Sequence, residues 1–335
     1  MKKIKIFIIL AILGLSPISA AENWWSLYFT SPGGNSAALN ATTKAMITII
    51  DNSKKYIHGA FFDIRSDEIA DAFIRAHKRG VKVKLVTDNS NYSRRQVNKI
   101  MTAGITVVPD IGTSLMHNKF MVVDGESVWT GSMNITENCL YKNDNNSIHI
   151  KSSQLADIFD NEFYQMHDLK LFSTRKTLKP FKKLTNKYYI KIGDTDINAY
   201  FAPKNNIEDI IVKRINKAKK SVHFMAFVFT SPKIAEAMIN KHKSGVEVKG
   251  IFEKRDSSSE HSQYTKMLVE ELGVKLDRNP NIMHHKVIII DGERLITGSY
   301  NFTRNAARRN DENVLMIDNK NICELYLKEF YRLYN

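Results

Sequence analysis

Residues 116–126 read Met116-His117-Asn118-Lys119-Phe120-Met121-Val122-Val123-Asp124-Gly125-Glu126. Residues 283–293 repeat the pattern as Met283-His284-His285-Lys286-Val287-Ile288-Ile289-Ile290-Asp291-Gly292-Glu293. The offset of 167 positions persists from Thr130-Gly131-Ser132-Met133-Asn134 to Thr297-Gly298-Ser299-Tyr300-Asn301, and from Glu162-Phe163-Tyr164 to Glu329-Phe330-Tyr331. Upstream the offset is 165, where His77-Lys78-Arg79-Gly80-Val81 faces His242-Lys243-Ser244-Gly245-Val246. Tyr28-Phe29 and Tyr200-Phe201 open the two units. A unit of about 140 residues has the size of a domain and is too long for a solenoid repeat.

Each unit reads the same way. Short apolar, β-prone runs at 56–62 and 221–229 predict strands. Apolar residues at helical spacing predict helices over 67–78 and 232–243, with Gly80 and Gly245 as stops. Residues 81–88 and 246–253 read as the next strands. The runs 120–123 and 287–290 are apolar without alternation, as in strands covered on both faces by helices. Helices over 155–166 and 322–333 close each unit. The expected organisation is a first domain at 22–168, a linker at 169–196 and a second domain at 197–335.

The chain has 335 residues and is 43% hydrophobic, which excludes wholesale disorder. Its net charge of +14 points to a polyanionic partner. Lys170, Arg175, Lys176, Lys179, Lys182, Lys183 and Lys187 crowd the linker, with no acid among them. They form either a solvated connector or a strap facing a polyanion. Two cysteines, Cys139 and Cys323, exclude a disulfide framework and leave open a single pair or two buried thiols. Residues 1–21 combine early lysines, a ten-residue apolar run and small residues before Ala21. That is the pattern of a secretory signal peptide cut after Ala21, so a secreted or periplasmic location is expected.

The repeated pattern is H-x-K-x4-D followed by G-S-x-N. Residues i and i+2 of a strand share a face, so His117 projects with Lys119 and His284 with Lys286. Imidazole serves as nucleophile or proton donor near neutral pH, and ammonium is a point charge suited to phosphate oxygens. Cleaving a phosphodiester needs a nucleophile, an acid for the leaving oxygen and positive charge around the non-bridging oxygens. Two His-Lys pairs supply all three, so neither a metal nor another cofactor is expected. His285 beside His284 is not read as a ligand, because adjacent strand residues face opposite ways.

The paired motifs resemble those of the phospholipase D superfamily, and the resemblance spans the whole chain after residue 21. It implies an α/β fold of two tandem α/β/α sandwich domains related by a pseudo-twofold axis, with one active site at their seam. It implies His117, Lys119, His284 and Lys286 as the catalytic set. It further implies that Asp124 and Asp291 act indirectly, within the motif scaffold. Asn134 and Asn301 would bind phosphate, supported by Ser132 and Ser299. Glu312 lies 28 residues after His284, and Asn145 lies 28 after His117. In the family this position bonds the histidine of the other half, so Glu312 would back His117 and Asn145 would back His284.

The expected reaction is hydrolysis through a phosphohistidine, with both half-sites in one monomeric chain. A phospholipid is the leading substrate and a membrane surface the leading partner. Nucleic acid, cut by the same mechanism, is the alternative. Phosphatidyl transfer and an inactive binding module stand behind these two.

Overall fold

The computed structural model describes residues 24–32, 40–176 and 188–335. The segment read as a signal peptide, and linker residues Lys179, Lys182, Lys183 and Lys187, lie outside them.

The first half runs β1 (Trp25–Thr30), α1 (Ala41–Asn52), β2 (Tyr56–Phe61), α2 (Asp67–Lys78), β3 (Lys82–Thr87), α3 (Arg95–Thr102), β4 (Thr106–Pro109), β5 (Lys119–Val123), β6 (Ser127–Gly131), α4 (Glu137–Tyr141), β7 (Asn145–Lys151) and α5 (Ser153–His167). The second runs β8 (Tyr189–Ile192), β9 (Thr195–Ala202), α6 (Ile207–Ile215), β10 (Ser221–Ala226), α7 (Pro232–Lys243), β11 (Glu247–Phe252), α8 (Lys254–Ser257), α9 (Tyr264–Val269), β12 (Gly273–Leu276), β13 (Lys286–Ile290), β14 (Arg294–Gly298), α10 (Arg304–Arg308), β15 (Glu312–Asp318) and α11 (Lys320–Tyr334).

The first sheet has the order β1-β7-β6-β5-β2-β3-β4. The second repeats it as β9-β15-β14-β13-β10-β11-β12 and adds β8 at one edge. Among the sheet strands of the described residues, only β2-β3-β4 and β10-β11-β12 pair in parallel. β5 and β13 are buried at every residue although both of their neighbours are antiparallel. Their unbroken apolar runs therefore report cover on both faces and say nothing about strand direction.

The helices at 67–78 and 232–243 form with those bounds. Ser66 and Ser231 cap them, each hydroxyl accepting from the backbone N–H three residues on. One apolar core lies under α1–α3, a second under α6, α7 and α9. A third, around α5 and α11, draws Phe120, Phe159 and Phe163 from one half and Phe201, Val287 and Phe330 from the other. This shared core joins the two sandwiches and holds the seam.

The linker is not free chain throughout. β8 lies within residues 169–196 and already pairs with β9. Lys176 is buried, with its ammonium on Glu162, on Asp311 Oδ1 at 2.7 Å and on the Ala202 carbonyl at 3.0 Å. It is a counter-ion inside the fold and cannot face a polyanion. Cys139 and Cys323 are separate buried thiols, and burial pushes Cys323 up to about 12.

Candidate active site

His117 lies just before β5 and His284 just before β13. Neither segment finishes its hydrogen bonding within its own half. The His117 N–H donates to Asp311 O at 2.9 Å, and the His284 N–H donates to Asp144 O at 2.8 Å. Each contact belongs to a short parallel bridge, Met116 with Asp311 and Asp144 with Met283. Each histidine thus sits against the residue just before the other half's β15 or β7 strand. That backbone exchange places residues 145 and 312 behind the opposite histidine.

The side chains complete the crossing. His117 Nδ1 meets Glu312 Oε2 at 2.8 Å and Oε1 at 3.0 Å. His284 Nδ1 meets Asn145 Oδ1 at 2.8 Å. Asn145 Nδ2 donates to the Cys139 carbonyl at 3.1 Å, which turns its oxygen toward the imidazole. A carboxylate and an amide oxygen only accept, so both Nδ1 atoms carry hydrogen. Both Nε2 atoms are then left for chemistry in the neutral rings.

Ser132 Oγ donates to Asn145 Oδ1 at 3.1 Å, and Ser299 Oγ donates to Glu312 Oε2 at 2.6 Å. Both hydroxyls also accept a backbone N–H, from Asn146 and Asn313. The preceding glycines are required here. A Cβ on Gly131 or Gly298 would stand 2.2 Å from the carbonyl oxygen of Asn146 or Asn313, and φ is +155° and +146°.

Lys119 and Lys286 are buried and donate to the carbonyls of His117 and His284 at 2.7 and 2.8 Å. Burial lowers Lys119 to about 8, against the pull of Glu312. Burial and the charge of Lys119 lower Lys286 well below its ordinary value. Burial also lowers both histidines. Glu312 opposes the effect at His117, while at His284 the two lysines add to it. These cross-seam effects place all four groups in one field. Two lysines and two imidazoles gathered out of water suit a phosphodiester anion, whose charge favours their protonated forms.

Asn134 and Asn301 follow β6 and β14, each with a buried Oδ1 lacking a partner among the described residues. Asp124 and Asp291 do not join the histidines. At the far ends of β5 and β13 they accept the backbone N–H groups of Lys54, Lys55 and Tyr56, and of Lys219, Lys220 and Ser221. They fix where β2 and β10 begin and belong to the scaffold of the motif, apart from the reacting groups. His285 is buried between Asn146 Nδ2 at 3.0 Å and Glu329 at 3.2 Å, away from Asn145.

Sequence reasoning missed Phe62 and Phe227. Their ring centroids lie 5.1 and 4.7 Å from the imidazoles of His117 and His284. Lys119 Nζ and Lys286 Nζ stand 5.3 and 4.7 Å from the same rings. The repeat at offset 165 carried the signal. Sequence reasoning also missed two ion clusters at equivalent places on the seam, one buried throughout and one with buried carboxylates under an exposed arginine. Glu162 and Asp311 are bridged by Lys176; Glu329 and Asp144 are bridged by Arg332 at 2.7 and 2.6 Å. Burial opposes ionisation of Glu329, but Arg332 and His285 hold it down at about 2.

Comparison with known proteins agrees with this geometry. The family model described as "Cardiolipin synthase, PLD-like domain" matches twice, at residues 46–167 and 211–334. The phospholipase D of Rickettsia prowazekii (strain Madrid E) is 33% identical over 141 residues, covering 42% of this chain and 69% of that protein. The mitochondrial cardiolipin hydrolase of Xenopus tropicalis is 33% identical over 118 residues, covering 35% of this chain and 56% of that protein. The phosphatidylserine synthase of Haemophilus influenzae superposes with a TM-score of 0.66 at 17% identity, over 90% of this chain and 84% of that one, and shows the fold. With two such domains closing one His-Lys site, the chain belongs to the phospholipase D superfamily of phosphodiesterases.

Proposed function

We propose that this phosphodiesterase is a secreted or periplasmic phospholipase D-type hydrolase. It splits a phospholipid diester through a covalent phosphohistidine, without a metal. The observation that carries the mechanism is the pair of imidazoles, each held at Nδ1 by the other half. His117, backed by a carboxylate, is the stronger nucleophile. Its Nε2 attacks phosphorus and the P–O bond to the leaving alcohol breaks. His284 takes up a solvent proton at Nε2 when the bound diester's charge offsets the lysines that otherwise lower the ring, and it gives that proton to the leaving oxygen. His284 then takes a proton from water, the water oxygen attacks phosphorus, and the P–N bond to His117 breaks. Lys119, Lys286, Asn134 and Asn301 hold the phosphoryl oxygens.

The phospholipid reading is supported by relatives named for phospholipase D and cardiolipin hydrolase. The leader-like residues 1–21 would deliver the chain to membranes beyond the cytoplasm. The net charge of +14 favours nucleic acid as the second reading. The chain, incubated with EDTA, is offered phosphatidylcholine, cardiolipin, and single- and double-stranded DNA. Lipid turnover without nicking is expected. Nicking alone overturns the substrate, and loss of activity to EDTA overturns the metal-free reaction.

A further inference from the structure

Beside the His117–Glu312 pair, three segments are tied into one rim. The Asp311 N–H donates to Leu115 O at 2.9 Å, and the Leu115 N–H to Asn310 Oδ1 at 3.4 Å. The Ser173 N–H donates to Asp311 Oδ1 at 2.8 Å, and its hydroxyl reaches Arg309 O. Arg175 Nη2 donates to Ile111 O at 3.3 Å. Residues 111–115 reach the surface from this base, with Ile111 54% exposed and Leu115 38%.

Arg175, Arg308 and Arg309 are exposed around them, and none has an acidic partner among the described residues. The repeat gives a built-in comparison. At the places of Ile111 and Leu115 the second half has Arg278 and Ile282, and Ile282 is partly buried. The exposed aliphatic pair is therefore confined to one side of the site.

We propose that residues 111–115, with Arg175, Arg308 and Arg309, form a docking rim that seats the active-site opening on an anionic phospholipid bilayer. The proposal rests on the phospholipid reading and adds where the membrane is met. Ile111 and Leu115 enter the boundary between head groups and acyl chains, and the guanidinium groups meet lipid phosphates. Aliphatic side chains among cations suit that interface.

The test is co-sedimentation of the full chain with phosphatidylcholine vesicles, with or without phosphatidylglycerol. Ile111→Ser/Leu115→Ser should weaken binding to anionic vesicles about tenfold at any salt. Arg308→Gln/Arg309→Gln should weaken it about twentyfold at low salt and little at high salt. Thermal unfolding at the wild-type temperature shows that the variants fold. Wild-type vesicle binding by both variants overturns the rim, even with head-group release intact. Weakened vesicle binding supports the rim, even if no phospholipid is hydrolysed, and then the substrate reading alone fails. If the Ile111/Leu115 variant instead loses binding to a single-stranded oligonucleotide while vesicle binding is kept, the surface belongs to nucleic acid and the proposal is overturned.

Discussion

Glu312 and Asn145 occupy the same place in the repeat and differ by one functional group. A carboxylate within hydrogen-bonding distance raises the basicity of an imidazole by about 1–3 pKa units, whereas an amide oxygen only orients it. That difference assigns attack to His117 and proton transfer to His284. With a p-nitrophenyl diester, whose leaving group needs little protonation, His284→Asn should accumulate a phosphorylated His117. His117→Asn should form no covalent species. Mass spectrometry of the trapped protein decides, and a phosphoryl group on His284 reverses the roles. Lys119 gives a pH signature. Burial lowers it to about 8, so the free enzyme loses this positive charge as pH rises through that value rather than near 10. kcat/KM should fall above about pH 8, and a profile flat to pH 10 contradicts it. These residues were legible because the motif spacing repeats. For Phe62 and Phe227 the repeat gave the positions but not the role, since an apolar residue just past a strand looks the same whether it packs in a core or against an imidazole.

Elements were readable where local pattern and tertiary fate agree. α2 and α7 have a serine cap, an apolar stripe and a glycine stop, and their bounds followed from sequence. α1 lacks such agreement. Thr42, Thr43, Ile47, Thr48, Ile49 and Ile50 are β-branched and weaken its helical signal. It forms because Asn40 caps it and Met46 and Ile50 are buried one turn apart. The turns after β6 and β14 show the opposite case, where one glycine decides an element's end. Gly131→Ala should destabilise the fold by about 2–4 kcal/mol, because the clash is with backbone and φ is positive. It should also displace Ser132 from Asn145. Urea unfolding measures the first effect and a fall in kcat the second. Wild-type values for both would mean that the strand ends can part without consequence.

Across the whole molecule, the charge run in the linker was the least readable feature. Sequence shows lysines without acids nearby. It cannot show that Lys176 meets Glu162 from α5 and Asp311 from the far end of the chain. Removing a partner from a buried ion cluster costs about 3–5 kcal/mol, because the remaining charges stay desolvated. Lys176→Met should lower unfolding stability by about that amount and leave the salt dependence of KM as it was. Unchanged stability with a flatter salt dependence would return Lys176 to the surface. The same bridge holds Asp311, whose carbonyl receives the His117 N–H, so the chain between the halves is tied to the catalytic seam.

The crossed bridges at 116–311 and 144–283 also bear on how such a site can have arisen. Two identical chains meeting about a twofold axis must put the same side chain behind both histidines. A mutation that improved the nucleophile would then alter the acid equally. Joining both copies in one chain lifts that restriction. Glu312 can differ from Asn145, His285 from Asn118, and Lys176 can do on one side what Arg332 does on the other. Covalent fusion thus turns a symmetric ancestor's compromise into two positions that selection can adjust separately.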